Sequence, residues 1–165
     1  MNHIVIKKGH NIRIGGVPPK DVVSIAGSES VAISPKTFIG VKPKRMVSEG
    51  DSVLIGSPLF FDKTKPEVKW ASPANGTIKT IQFGARRVIE KIEIKVEGTE
   101  AVSGPSFTSE QLVSADRTTL LTRILEANLF PLIRQRPFNK VANPKDTPRD
   151  IFISAVNTAP LSVDR

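Results

Sequence analysis
The most chemically suggestive residues are a late group of cations, Arg134, Arg136, Lys140 and Lys145, beside the apolar pair Pro137-Phe138. A guanidinium fork next to an aromatic ring suits an acidic partner loop, because the planar group binds carboxylate in two places and stacks on a ring. The same cations also suit the solvated C-terminal end of a short helix, where positive charge is favoured by the helix dipole. Other chemistries lack their residues. His3 and His10 lie seven positions apart without clustered carboxylates and read as surface histidines, not a metal site. The absence of cysteine removes disulfides, thiolate metal sites and thiol nucleophiles from this chain. Gly9 to Gly16 lacks the strand–turn–helix setting of a dinucleotide fingerprint, and no Ser/His/Asp constellation can be assembled.

The elements that position these residues are mostly β. From Val47 to Gly76, turn signals recur at Glu49-Gly50-Asp51, Gly56-Ser57-Pro58 and Asn75-Gly76, the last suited to a type I′ hairpin. Short apolar runs lie between them, Val53-Leu54, Leu59-Phe60-Phe61 and Val68 to Ala71, which predicts a small folded-over β structure. Before this stretch, residues 3–8 form an alternating strand instead of a leader, and Val22 to Ile25 is expected to pair with Val31-Ala32-Ile33. The two prolines and Gly40 between Pro35 and Met46 make that segment a connection, not a central strand. After it, Thr77 to Ile81 and Val88 to Val96 form strands joined by Phe83 to Arg87. Ile92, Ile94 and Val96 share one face, with charged residues on the other.

Character changes after residue 98. A linker spans 99–108, and an amphipathic helix covers 117–127, with Asp116 as N-cap and Asn128 as terminator. Ser109 to Leu112 adds a helical turn, and Pro131 opens a second short helix, Leu132 to Arg136. Ile151 to Val156 has the pattern of a strand buried on both faces, and Asn157-Thr158-Ala159-Pro160 follows where open α/β sheets bind ligands. One strand and two helices cannot make an α/β domain, so a fragment is expected. The domain division is 1–98, a β domain with an N-terminal arm, and 99–165, the beginning of a second domain.

The net charge of +8 is spread along the chain: 16 basic and 10 acidic residues in 1–100, 8 and 6 in 101–165. With eight Phe, one Trp and no Tyr, there is no basic stripe interleaved with aromatics, so a solvated basic surface that helps docking to an acidic partner or to anionic lipid is expected and nucleic acid is not. No apolar run approaches the ~20 residues of a membrane span.

The pattern Gly50-Asp51, Gly56, Leu59, Ala71-Ser72-Pro73 and Gly76 resembles the lipoyl/biotinyl-type barrel-sandwich hybrid. Carriers of that fold modify a lysine in the intervening hairpin. Counting from Leu59 indicates Lys63 and counting back from Pro73 indicates Lys65, with Lys69 nearby. Neither setting matches a carrier motif and Pro66 reshapes the tip, so a solvated basic hairpin is expected. Over its whole length the chain resembles the N-terminal part of the NqrA subunit of the sodium-translocating NADH:quinone reductase. The match rests on Ile6-Lys7-Lys8-Gly9, Phe38-Ile39-Gly40-Val41-Lys42-Pro43, Leu59-Phe60-Phe61-Asp62-Lys63, Gly84-Ala85-Arg86-Arg87-Val88, Leu132 to Phe138 and Phe152 to Leu161.

This resemblance implies a mainly β fold with an α/β C-terminal part, that is, a barrel-sandwich hybrid domain followed by the start of a Rossmann-like domain. It implies a peripheral subunit on the cytoplasmic side of the bacterial inner membrane, reaching the membrane only through partner subunits of the complex. The complex uses flavins, an iron–sulfur centre, NADH and ubiquinone; this fragment binds none of these cofactors and is not catalytic alone. Its work is assembly and a place at the quinone-reducing end, where Arg134, Arg136, Phe138 and Lys140 offer a quinone or partner contact. The alternatives are a lipoyl/biotinyl-type carrier or adaptor domain, and the C-type subunit of the related ferredoxin-type electron-transport complex.

Overall fold
A computed structural model describes residues 5, 7–9, 13–16, 19, 21–104 and 106–155. Residues 27–147 form one compact unit, and residues 1–26 with 148–165 are grouped as another.

The larger unit is built mainly from two antiparallel sheets, with a two-stranded hairpin beyond them. The first contains β1 (Ser30–Ile33), β3 (Ser52–Val53), β6 (Asn75–Phe83) and β7 (Ile89–Gly98), in the order β1-β7-β6-β3. The second contains β2 (Pro43–Arg45), β4 (Pro58–Asp62) and β5 (Lys65–Ala71), in the order β2-β4-β5. Both sheets contribute to a common core: Leu59, Phe60, Val68 and Trp70 from the second, with Ile78, Ile81, Ile92 and Ile94 from the first. Alternation selects Val68 and Trp70 on β5 and Ile92 and Ile94 on β7, while β4 is buried on both faces at Leu59 and Phe60. Register shifts in both the β4–β5 and β6–β7 pairs let the strands coil instead of lying flat. The fold is mainly β with a smaller helical part, as expected.

Two of the three turn signals act as turns. Gly50 (φ 88°) and Gly56 (φ 96°) occupy the left-handed region where a Cβ is unfavourable. Around them the backbone N–H of Ser48 donates to Asp51 Oδ2 at 2.7 Å, and that of Leu54 to Ser57 Oγ at 3.1 Å. Asn75-Gly76 does not form the expected hairpin. It opens β6 at a bulge opposite Val96 and Gly98, and the turn falls at Ser72–Ala74, where buried Ser72 donates from Oγ to the Ala74 carbonyl at 2.7 Å.

The expected pairing of Val22–Ile25 with Val31–Ile33 is also overturned. Residues 22–25 are exposed without regular structure, and β1 pairs with β7, setting Val31 opposite Ile94 and Ile33 opposite Ile92. The inward isoleucines of β7 give β1 an apolar face to join, which a local hairpin would not supply. Pro35 to Met46 is a connection with one short strand in it: β2 lies at a sheet edge with Pro43 as its first residue, where a missing N–H is tolerated.

Beyond β7, α1 (Ser109–Ser114) starts at a capping box formed by Thr108 and Gln111. Helix α2 (Arg117–Glu126) starts at Asp116, whose carboxylate accepts from Thr119 N–H at 2.7 Å; that bond holds the carboxyl below its ordinary range. Asn128 ends the helix with φ 57° and donates from Nδ2 to the Gly56 carbonyl. Leu121, Ile124 and Leu125 pack on the core of the β sheets, and Phe130 and Val141 belong to it.

The predicted helix Leu132–Arg136 is replaced by a single 3-10 turn, Phe130–Leu132, and a hairpin of β8 (Arg134–Gln135) and β9 (Lys140–Val141). Burying Phe130 and Val141 on the same core requires the chain to double back, which a helix continuing through Arg136 does not permit.

In the smaller unit, Val5, Lys7 and Lys8 of the expected first strand have no regular structure, and the rest of that strand, His3 and His10 lie outside the described residues. The run 151–155 is exposed and not a strand; a strand buried on both faces needs sheet neighbours, and no parallel sheet exists among the described residues. Val156 and Asn157–Pro160 lie outside the described residues.

On the outer face of β6–β7, Lys79 and Lys91 bracket Glu93 at 2.7 and 2.9 Å. Hydrogen bonds from the Lys79 and then the Lys91 ammonium lower the Glu93 carboxyl from 4.5 to about 2. Because the folded value lies below the unfolded one, this contribution to stability is full above pH 4.5 and fades as the pH falls toward 2. Glu93→Gln is therefore expected to flatten the acid limb of stability in that window, measured by urea melts at stepped pH. An unchanged limb would show that the pairing contributes nothing.

Candidate functional site
The carrier-type hairpin joins β4 to β5 through Lys63-Thr64, and Asp62 shapes it. Its buried carboxylate accepts from Thr64 N–H (3.0 Å), Thr64 Oγ1 (2.8 Å) and Lys42 N–H (3.2 Å), while Lys63 N–H donates to the Lys42 carbonyl at 2.9 Å. An aspartate that captures the backbone two residues on makes a tight turn by itself. Lys63 projects from this turn into solvent. Lys65 is half-buried, and its Nζ donates to the carbonyls of Val141 and Ala142, each at 3.3 Å. Lys69 is half-buried opposite Phe61. The hairpin is thus fastened along one side by the end of β9 and by Ala142, so only Lys63 is solvated as expected, while Lys65 and Lys69 are half-buried.

The cation group is presented by the β8–β9 hairpin. Arg134, Arg136, Phe138 and Lys140 lie on this one element, with Lys145 on the loop beyond it. The expected helix end is absent: only a single 3-10 turn, Phe130–Leu132, precedes them, and they lie on the hairpin after it. Arg134 is half-buried with its guanidinium carbon 4.9 Å from the centre of the Phe38 ring. The Phe38 ring meets Trp70 edge-on (5.2 Å, 68°), and Trp70 stacks on Phe60 (4.9 Å, 12°). The result is a column of three aromatic rings, continuous with the core and topped by a cation. On the outer part of the hairpin, the Lys140 ammonium sits 5.6 Å over the ring of Phe138, which is 70% exposed, and Arg136 is exposed.

Sequence reasoning missed Phe38 as the partner of Arg134 and Trp70 as the ring that Phe38 packs on. Phe38 follows a 3-10 turn at Pro35–Thr37, in a segment read only as a connection, and no local pattern links it to residue 134. Trp70 carries a further feature: its indole Nε1 is buried without a hydrogen-bond partner. Among the described residues there is no group of three His, Cys, Asp or Glu able to hold a metal ion, and no helix long and apolar enough to cross a membrane.

Comparison with known proteins agrees with this architecture. Residues 4–97 match the NqrA N-terminal barrel-sandwich hybrid domain, and residues 115–165 match the NqrA second alpha/beta domain. The NqrA subunit of the Na(+)-translocating NADH-quinone reductase of Saccharophagus degradans is 37% identical over 161 residues, which is 98% of this chain and 36% of that protein. The proteins of the same name from Psychromonas ingrahamii and Pasteurella multocida are 35% and 37% identical over the same share of each chain. The chain therefore spans only 36% of the length of these curated relatives. With the barrel-sandwich match covering more than half of it and these relatives matching almost all of it, the chain belongs to the NqrA family of Na(+)-translocating NADH-quinone reductase subunits.

Proposed function
We propose that this chain is a segment of a peripheral subunit of a respiratory Na+-translocating NADH:quinone oxidoreductase, held on the cytoplasmic side of the inner membrane by the other subunits. It contributes to assembly and to the quinone-reducing end, while NADH oxidation, flavin and iron–sulfur chemistry belong to its partners. The division into a β domain over 1–98 and the start of a second domain over 99–165 is part of this reading. The relatives' names and the family matches support the assignment to the complex.

The observation that carries the more specific role is the column Phe60–Trp70–Phe38 topped by Arg134, with Arg136, Phe138 and Lys140 exposed beside it. A cation held over the Phe38 ring, with the exposed Phe138 on the same hairpin, offers both a hydrogen-bond donor and a flat apolar surface, which suit a quinone head-group or an acidic partner loop. The fastened hairpin speaks against the carrier alternative, since Lys65 is engaged and the turn at Lys63 is tight.

The test uses the assembled complex with Arg134→Ala and Arg136→Ala together. Quinone reduction, or co-purification of the subunits, is expected to fall roughly 10-fold, the scale of a cation–aromatic contact worth about 1–2 kcal/mol. NADH oxidation by an artificial acceptor should not change if quinone contact alone is lost. Wild-type quinone reduction together with wild-type assembly would sink the role assigned to this hairpin.

A further inference from the structure
The turn joining β6 to β7 presents cationic and apolar side chains together at the surface. Its residues Phe83, Arg86, Arg87 and Val88 are exposed, the two apolar side chains by 49% and 43%. Arg86 and Arg87 both adopt φ 56°, the left-handed region that a side-chain-bearing residue enters at a cost of about 1–2 kcal/mol. Neither guanidinium makes an ion pair or hydrogen bond among the described residues. The positive φ values are what a tight turn between the twisted strands β6 and β7 requires, and Gly84 N–H donates to the Val88 carbonyl across it at 2.9 Å; the turn thereby holds two cations and two apolar side chains out at the surface.

Beside this turn lies a cleft of about 310 Å³ lined by Arg45, Glu49, Ile81, Phe83 and Arg87. Its one acid is already engaged: Glu49 Oε1 accepts from Ile81 N–H at 2.7 Å and from Thr80 Oγ1 at 3.1 Å. Arg45 donates from Nη1 only to neutral oxygens, the Val47 carbonyl and Ser48 Oγ, so its charge is not neutralised. Nearby Glu90 is paired with Lys36. Two guanidinium groups, a half-exposed phenyl ring and an apolar floor therefore share one cleft with a single carboxylate, Glu49, which keeps its charge because its partners are neutral donors; the two arginines leave the cleft net positive.

We propose that this cleft and turn bind the phosphate of an anionic phospholipid headgroup, with Phe83 and Val88 entering the interface, so that the chain adds a membrane contact of its own to those made through partner subunits. Guanidinium forks match phosphate geometry. Charge complementarity selects an anion, and the exposed Phe83 and Val88 select a lipid surface over a soluble phosphate ester, which leaves both side chains in water.

The test is sedimentation of the full 165-residue chain with phosphatidylcholine vesicles, with and without phosphatidylglycerol. Arg45→Gln with Arg87→Gln is expected to weaken binding to the anionic vesicles roughly 30-fold. Lys63→Gln with Lys145→Gln removes the same charge elsewhere and should weaken it less than about 3-fold if the site, and not the net charge, is responsible. Phe83→Ser keeps the charge and is expected to cost about 10-fold. An unchanged melting temperature shows that a variant folds; if the first pair does not fold, Arg86→Gln on the exposed turn replaces it with a loss of several-fold expected. Equal losses for the two charge pairs, wild-type binding by Phe83→Ser, or saturable binding of inorganic phosphate without vesicle binding would each overturn the proposal.

Discussion

Gly76→Ala is expected to destabilise the barrel by at least about 3 kcal/mol, above the usual range for adding a methyl group to a packed core. A Cβ at Gly76 would lie 1.8 Å from the Lys95 carbonyl oxygen, 2.9 Å from the Lys95 carbonyl carbon and 3.2 Å from the Glu97 nitrogen. All three obstacles are backbone atoms of β7, so no rotamer change relieves the clash. β6 and β7 are the long central strands of their sheet, and separating them at the bulge disturbs the pairing that carries Ile78, Ile81, Ile92 and Ile94 into the core. Domains of this size are stable by about 5–15 kcal/mol, so the loss takes a large share. Gly40→Ala is the control: a Cβ there meets nothing within 4 Å, and its φ of 79° alone predicts a loss of about 1 kcal/mol. Urea melts followed by circular dichroism would show the contrast, and equal midpoints for the two variants would contradict the close approach at Gly76.

Trp70→Ala should have the other large effect, a loss of about 3–5 kcal/mol, because it empties the centre of the aromatic column. Trp70 is 2% exposed, stacks on fully buried Phe60 and receives the edge of Phe38. Trp70→Phe, in contrast, is expected to cost less than about 1.5 kcal/mol: the ring stack survives in part, and the indole N–H gives up no hydrogen bond because it has none. The alanine variant should also release Phe38 and with it the perch of Arg134, so any function of that cation falls with it. Denaturation by circular dichroism separates the two variants. Similar losses would mean that the indole N–H has a partner, such as a bound water, that matters as much as the ring.

Much of this was legible in the residues themselves. Gly50 and Gly56 mark their turns because the backbone there has positive φ, and Asp116 and Asn128 mark the ends of α2 because their side chains complete or terminate helix geometry locally. The alternation of Ile92 and Ile94 with Lys91, Glu93 and Lys95 identifies β7 and its buried face. The candidate residues Arg134, Arg136, Phe138 and Lys140 are close neighbours in the chain, and one hairpin carries them all.

Other features depended on long-range choice. The dipeptide Asn75-Gly76 fits a tight hairpin and a bulge equally well, and only the approach of β7 selects the bulge. Leu132 to Arg136 has residues compatible with a helix, but burial of Phe130 and Val141 on the same core turns it into a hairpin. Val31–Ile33 had two apolar partners available in the chain, and the one some 60 residues later offered the matching face.

By itself, then, the sequence determined the turns at Gly50 and Gly56, the caps of α2, the buried face of β7 and the family, because those follow from the stereochemistry and spacing of neighbouring residues. The tertiary structure alone decided that Arg134 rests on Phe38, that Lys65 is fastened to the carbonyls of Val141 and Ala142, and that Arg45 and Arg87 share a cleft. Each of those contacts joins residues many positions apart, and they meet only because burying the common apolar faces brings their strands and hairpins together.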